Sequence, residues 1–217
     1  SWRYMQALLP VVQELWQGDS EHNGEFWHFP KATSCPKPVQ DDVPIWVAAR
    51  APITFDYAVE HGCNIMSWPL TMPMSEAESY RGRLDDAIAK HGPFNGQWAM
   101  MRHTAVYETE EDRQRALAAI RVQLAMFGNL MTKTGEVHNG FPDTVNAEAL
   151  EGNFRVDPVM LEENLMFGTP ETVIEKLKLY EAIGVDSFIY YASMGMDMDQ
   201  QKESLRLFID KVMPAYA

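Results

Sequence analysis

Two stretches of this chain spell the same structural sentence. In GTPETVIEKLKLYEAIGVDSFIYYA, residues 168–192, Val173, Ile174, Leu177, Tyr180 and Ile183 recur at helical spacing, with Glu175, Lys176 and Lys178 on other faces. Thr169 caps the first turn, Pro170 stands where no N–H is needed, and Gly184 takes the left-handed conformation that ends a helix. The run Phe188–Ala192 then lacks polar alternation and is rich in β-formers, which predicts a strand covered on both faces. TFDYAVEHGCNIMSWP, residues 54–69, repeats the order: a helix carrying Phe55, Ala58 and Val59, then Gly62, then a short apolar strand with Cys63, Ile65 and Met66. Helix, glycine and buried strand written twice restrict the chain to a parallel α/β architecture, because parallel strands need helical crossovers between them.

The remaining segments fit that rhythm. VPIWVAA, residues 43–49, and QWAMMRHTAVYE, residues 97–108, read as further strands, and the two repeats place others at 63–68 and 187–192. Helices are expected over 53–61, 75–91 and 109–127, with Ser75/Glu78 and Thr109/Asp112 at capping-box spacing. An N-terminal helix over 3–16 turns Tyr4, Leu8, Val11, Val12 and Leu15 inward, and a last helix over 198–213 buries Leu205, Leu207, Phe208 and Val212. Residues 18–40 read as a long connection punctuated by Gly and Pro. Residues 128–165 are too long for a plain αβ connection and are expected to be an insertion, either a lid or a flap packed on the outer helices. The whole chain, 1–217, reads as one partial-barrel domain.

Composition narrows the function classes. With 46% hydrophobic residues the chain can bury a core, and 18 Lys and Arg against 31 Asp and Glu give a formal charge of −13. That charge argues against nucleic acid or an anionic membrane as partner, and no apolar run is long enough to span a bilayer. Cys35 and Cys63 lie without disulfide or metal spacing, and His22, His28 and Cys35 form no ligand pair, so no metal is expected. A cytoplasmic setting follows from the acidic composition and from an N-terminus without signal-peptide character.

Four βα units are visible, whereas a (β/α)8 barrel needs eight strands over about 250 residues. An open doubly wound sheet is the rival architecture, but no G-x-G-x-x-G or G-x-x-x-x-G-K-[ST] occurs. PKPVQDDVPIWVAARAPITFDYAVEHGCNIMSWP, MRHTAVYETEEDRQRA, FGTPETVIEKLKLYEAIGVDSFIYY and ESLRLFIDKVMP resemble, in order and spacing, the C-terminal half of the bacterial luciferase-like flavin-dependent monooxygenases. The resemblance implies a TIM-type (β/α)8 barrel of which this chain holds about the C-terminal half, four βα units plus the insertion. It further implies reduced FMN, or F420 in some branches, bound at the C-terminal ends of the strands. With FMN and O2 such proteins oxygenate a small organic substrate, and a flavin reductase supplies the reduced cofactor. Half a barrel exposes two sheet edges and an apolar inner face, so a homo-oligomer, or association with a missing N-terminal half, is expected. A truncated half-barrel that only binds or assembles is the alternative function.

Candidate site residues follow from strand ends. In AARAPIT, residues 48–54, small residues open a helix N-terminus to an anion, Thr54 offers a hydroxyl and Arg50 a fork. The resemblance places Ala49, Arg50, Ala51 and Thr54 near the flavin phosphate. The plainer roles are a helix cap for Thr54 and a solvated surface for Arg50. His103 shares a strand face with Met101, Ala105 and Tyr107, opposite Arg102 and Thr104. A strand histidine is more often a hydrogen-bonded core residue. The resemblance makes His103 the catalytic candidate, a neutral imidazole able to move a proton, and leaves Arg102 structural. Trp68 and Ser193 stand at the C-terminal rim as pocket candidates or as rim packing. Met66, Met72, Met74, Met100, Met101, Met194, Met196 and Met198 either line an adaptable apolar pocket or fill the core.

Overall fold

Pro10 removes one N–H from the middle of the first helix, yet α1 runs unbroken through Trp2–Gln17. The computed structural model describes residues 2–132, 136–143, 152, 156–192 and 195–216. It divides into two units, Ser1–Pro44 and Ile45–Ala217. In the first unit only Val11 of α1 is buried, and Tyr4 (50% exposed) and Leu8 (40%) do not face inward as the helical pattern suggested. Tyr4 instead packs its ring on Phe26, with centroids 4.3 Å apart. The helix C-terminus is closed from outside, because Lys37 Nζ donates to the carbonyls of Leu15 (2.6 Å) and Gly18 (2.9 Å), a cation at the negative end of the dipole. The connection after α1 is not plain loop: β1 (Ser20–Asn23) and β2 (His28–Ala32) pair as an antiparallel ribbon. Its mixed polar sequence carries no alternation that would announce strands.

The second unit is built on a parallel sheet. β3 (Trp46–Ala48) pairs with β4 (Asn64–Ser67), β4 with β5 (Trp98–Val106), and helices α2 (Pro52–Glu60) and α3 (Met74–His91) make the crossovers. The strands at 43–49, 63–68 and 97–108 are thus present, each shorter than its apolar run. α2 buries Phe55, Ala58 and Val59 as expected. α3 begins one residue early, at Met74 behind Pro73, so Ser75 falls inside the first turn and the Ser75/Glu78 capping box does not form. The Thr109 box does form: the Asp112 N–H donates to Thr109 Oγ1 (3.1 Å), whose hydroxyl donates to the Asp112 carboxylate (2.6 Å). α4 (Glu110–Thr132) follows and runs past the expected end at 127.

Within 128–165 the described residues hold a two-residue hairpin, β6 (Val137–His138) and β7 (Phe141–Pro142), turned by Asn139 and Gly140 at φ 53° and 85°. That Asn-Gly pair is the left-handed turn signal that two-residue hairpins demand. α5 (Pro158–Asn164) is capped by Asp157, and β8 (Met166–Gly168) is a three-residue strand too short for any periodicity to reveal. The rest of the insertion, and with it any lid, lies outside the described residues.

α6 (Pro170–Ala182) starts on Thr169, whose Oγ1 accepts from the Thr172 N–H, and is followed by Gly184 at φ 83°. β9 (Ser187–Ala192) then pairs with β5 from Ala99↔Ser187 to Thr104↔Ala192. Trp98 and Asp186 fasten its start, the Trp98 N–H donating to Asp186 Oδ2 (2.8 Å) and the Asp186 N–H to the Trp98 carbonyl (2.9 Å). Thr104 is register partner to both Ala192 and Met166, so β8 takes the far end of the β5 edge that β4 occupies at Trp98–Met100. The sheet has five strands, β3-β4-β5 in order with β8 and β9 both paired to β5, and among the described residues β3 and β9 each keep an unpaired edge.

The two faces of this sheet differ. Val47, Ile65, Ser67, Trp98, Met100, Arg102 and Thr104, at 8% exposure or less, share the face that the helices cover. On that side Tyr190 hydrogen-bonds Ser204 of α7 (Met198–Leu207), and the π-helical turn Phe208–Val212 lays Phe208 on Phe188 and Tyr190. Leu207 and Val212 are buried there, while Leu205, expected inside, is 42% exposed. The opposite face carries Trp46 and Ala48 exposed and Met66, Met101, Ile189 and Tyr191 half-buried. β9 is half-buried at every residue rather than covered on both faces, as befits an outermost strand. The methionines divide accordingly: Met100 and Met196 are core, Met66, Met74 and Met101 are half-buried, Met72 and Met198 are exposed, and Met194 lies outside the described residues.

Candidate active site

Strand pairing brings three aromatic groups together at the C-terminal rim of the sheet. His103 of β5 stacks on its register partner Tyr191 of β9, with centroids 4.5 Å apart. Trp68, the residue after β4, meets both edge-on, at 5.6 Å from His103 and 5.7 Å from Tyr191. His103 is 3% exposed, and among the described residues neither its Nδ1 nor the indole N–H of Trp68 has a hydrogen-bond partner. Burial first, and the Arg102 guanidinium second, push the imidazole pKa down to about 4. His103 is therefore a neutral donor–acceptor at physiological pH, not a group poised to titrate there.

Arg102, the preceding residue, points to the opposite face and is fully buried. Its Nε donates to Tyr180 Oη (2.7 Å) and its Nη1 to the Leu70 carbonyl (2.9 Å), while among the described residues Nη2 has no partner. Leu70 lies in the loop after Trp68 and has φ 56°, the left-handed region that a leucine rarely enters.

The segment Ala49–Thr54 forms the strand-to-helix turn ahead of α2. Ala49 is fully buried, its N–H donating to Met66 O and its carbonyl accepting from Ser67 Oγ, both at 2.9 Å. Thr54 Oγ1 accepts from the Arg50 N–H (3.2 Å) and donates to Ala51 O (2.6 Å), so the hydroxyl braces the turn. Arg50, Ala51 and Ile53 are exposed. Arg50 Nε reaches Tyr80 Oη (3.3 Å), Arg83 donates to the Arg50 carbonyl, and the Arg83 guanidinium lies 5.0 Å from the Tyr80 ring centroid. Two guanidinium groups at a helix N-terminus make a positive corner on an acidic chain.

Behind the rim, Tyr107 and Arg113 both donate to Glu162, Arg113 through Nε and Nη2 at 2.7 Å each, and this bidentate pair holds the Glu162 carboxyl below its usual range. Burial and the same carboxylate push the Tyr107 phenol up. Lys176 of α6 is half-buried, with its ammonium spent on the carbonyls of Glu162 (2.5 Å), Leu165 (2.8 Å) and Phe167 (2.9 Å). Desolvation brings its pKa down to about 8.

The structure thus gathers His103 with Trp68, and Ala49, Arg50, Ala51 and Thr54 in one turn, while Ser193 lies outside the described residues. Tyr191, Tyr80 and the Arg102 tether were missed. Strand register alone would have set Tyr191 opposite His103, whereas nothing in the sequence marks Leu70. An open groove of about 620 Å³ in the first unit, lined by Pro10, Glu14, Asp19 and Asp41 among others, includes none of these residues. Among the described residues no helix is long and apolar enough to cross a membrane, and no cluster of His, Cys, Asp and Glu is grouped to hold a metal ion.

Comparison with known proteins gives this geometry its context. The sequence profile of the luciferase-like monooxygenases matches residues 1–187. The oxygenase component of a flavin-dependent trigonelline monooxygenase from Acinetobacter baylyi is 36% identical over 215 residues, 98% of this chain and 60% of that protein. Among solved structures, a coenzyme F420-dependent tetrahydromethanopterin reductase from Methanopyrus kandleri superposes with a TM-score of 0.71 at 16% identity, over 98% of this chain and 63% of the other. A monooxygenase from Streptomyces bottropensis superposes with a TM-score of 0.66 at 22% identity, over 96% of this chain and 60% of the other. The chain spans about 60% of the length of its curated relative, and its sheet is the corresponding part of a barrel of that fold.

Proposed function

The chain belongs to the luciferase-like monooxygenase family, and from that premise we propose that it serves a flavin-dependent monooxygenase acting on a small organic substrate. The 36% identity to an oxygenase component carries this reading. It also favours FMN over F420 as cofactor, a separate flavin reductase as electron source, and N-heteroaromatic acids of the trigonelline type as the first substrates to try. We place the reaction in the cytoplasm, in keeping with the free Cys35 and Cys63.

The residues present fit such a cofactor. The exposed turn Arg50–Ile53 offers guanidinium and helix-start N–H groups to a phosphate, braced by Thr54. The half-exposed sheet face offers apolar surface to a planar ring, and the unpartnered His103 Nδ1 and Trp68 Nε1 are polar atoms awaiting a partner. The flavin, when bound, supplies the activation of O2. The protein's part is to hold the ring against the sheet, exclude water with Trp68 and Tyr191, and present His103 as a neutral hydrogen-bonding group. Mixing the protein with FMN, NADH and a flavin reductase, then following O2-dependent loss of trigonelline and related pyridinium acids, tests the reading. Failure to bind reduced or oxidised FMN at any concentration up to millimolar sinks it.

A second reading has its own support. The face carrying Trp46, at 44% exposure, with Met66, Met101, Ile189 and Tyr191 half-buried, is an association surface. On that reading the chain assembles with a second copy or with the first half of a barrel, and turnover without that partner is slight.

A further inference from the structure

We propose that Arg102 is a positioning residue: its guanidinium ties the strained Leu70 carbonyl to Tyr180 of α6 and so fixes the rim loop that presents Trp68 to His103. The proposal rests on the reading of the rim as the reaction site, but its structural part stands without it. Arg102 is fully buried, and among the described residues its side chain donates to neutral acceptors alone, the Tyr180 phenol at 2.7 Å and the Leu70 carbonyl at 2.9 Å. A buried charge with no carboxylate is a poor way to stabilise a core, where an apolar side chain of the same volume does better. The fork geometry does what an apolar residue cannot, since one rigid plane meets an acceptor on a helix and another on a loop.

The loop needs such a tether. Leu70 has φ 56°, which a leucine keeps only when its surroundings enforce it. The same loop is held from its other side by Asn164, whose side-chain amide donates to the Thr71 carbonyl at 3.0 Å. Trp68, two residues before Leu70, keeps its indole edge-on to His103 and Tyr191 across three adjacent strands. Arg102 and His103 are consecutive on β5, so one face of the strand carries the site and the other carries the anchor of the loop that closes on it. Tyr180 is 6% exposed and sits over the guanidinium, with Cζ 5.9 Å from the ring centroid, which fixes the anchor's far end.

The test reads Trp68 directly. The protein is labelled with 5-fluorotryptophan, the Trp68 signal is assigned by its loss in Trp68→Phe, and fluorine spectra are recorded without flavin. Arg102→Met should move and broaden the Trp68 signal while leaving those of tryptophans outside the loop in place. Arg102→Lys, which keeps one donor and the charge, should give an intermediate shift and decides the matter if the methionine variant does not fold. Adding Leu70→Gly to Arg102→Met should restore the signal part of the way, because glycine holds a positive φ without a tether. In the flavin-loaded enzyme the substrate KM should rise about tenfold with flavin affinity unchanged. An unmoved Trp68 signal in folded Arg102→Met and Arg102→Lys overturns the proposal. Absent flavin binding in the wild type would defeat the functional reading instead, with the fluorine result still deciding Arg102.

Discussion

His103 and Tyr191 face each other across the β5–β9 ladder with their rings stacked at 4.5 Å and 24° between planes. Tyr191 covers one face of the imidazole and Trp68 lies edge-on against the stacked pair, and the ring is desolvated although the surrounding sheet face is half open. Desolvation fixes the pH behaviour. The folded pKa is about 4 against 6.5 unperturbed, so between those values the unfolded chain binds a proton that the folded one refuses, and stability falls as pH falls through that window.

His103→Phe keeps the stack and removes the titration. The variant is expected to lose less stability than wild type between pH 6.5 and 4, the difference reaching about 3 kcal/mol at the acid end. Urea melts at several pH values read it, and parallel wild-type and variant curves would show that the imidazole is not desolvated. On the proposed function, His103→Ala should lower turnover of the loaded enzyme more than flavin affinity, the pattern of a group that acts on the reacting atoms rather than on the phosphate.

Lys176 joins three carbonyls from α5, the turn after it and β8. Its pKa of about 8 still leaves it charged at neutral pH. Lys176→Met should strip the donors and leave those oxygens poorly satisfied, at a cost of about 2–4 kcal/mol. Hydrogen exchange should show the loss first in 158–168, ahead of β5. Uniform loosening of the whole sheet would point to a general packing defect instead.

How much of this was legible in the sequence depends on the range of the signal. Helix starts and stops written within four residues, such as Thr169, Pro170 and Gly184, read directly, because their chemistry is local. Ser75 failed because a one-residue shift in the helix start turns a cap into a first-turn residue, and Pro73 decided that shift. β8 has three residues and no period to detect, while the ribbon β1–β2 is held by pairing between polar segments. For the site, alternation correctly separated His103 from Arg102, but the Leu70 strain and the Tyr180 contact come from loops and helices far along the chain. His103 was read as a neutral imidazole able to move a proton, and the sequence shows that imidazole but not the Trp68 and Tyr191 rings that dry it.

At the turn before α2, Arg50 and Thr54 have separable roles. Thr54 braces the loop through two hydrogen bonds, so Thr54→Ala should cost about 1 kcal/mol of stability as well as weaken flavin binding. Arg50 is exposed and its side chain makes one long hydrogen bond, to Tyr80, among the described residues, so Arg50→Ala should leave the melt nearly unchanged. Its loss should weaken flavin affinity, and the residual binding should depend less on salt because a charge has gone. Fluorescence titration at two ionic strengths checks both, and equal affinities in wild type and variants would make the turn merely structural.

The last expectation concerns the open face of the sheet. Trp46 is 44% exposed, and Met66, Met101, Ile189 and Tyr191 are half-buried on one surface, while the other face of the same strands is sealed by helices. Water satisfies the unpaired backbone groups along the outer edges of β3 and β9, but it gains nothing from the apolar side chains between them. Covering each such side chain fully is worth about 1.5–3 kcal/mol, and several together rival the 5–15 kcal/mol or so that holds a typical domain folded. This chain on its own should therefore associate through that face, and Trp46→Glu with Ile189→Glu, which place like charges there at little cost to the helix side, should weaken the association about a hundredfold. Sedimentation across dilution measures it, with an apolar-binding dye reporting the face in the dissociated state. A monomer at all concentrations that binds no dye would mean that the surface is already covered within one chain, and the association idea would fall.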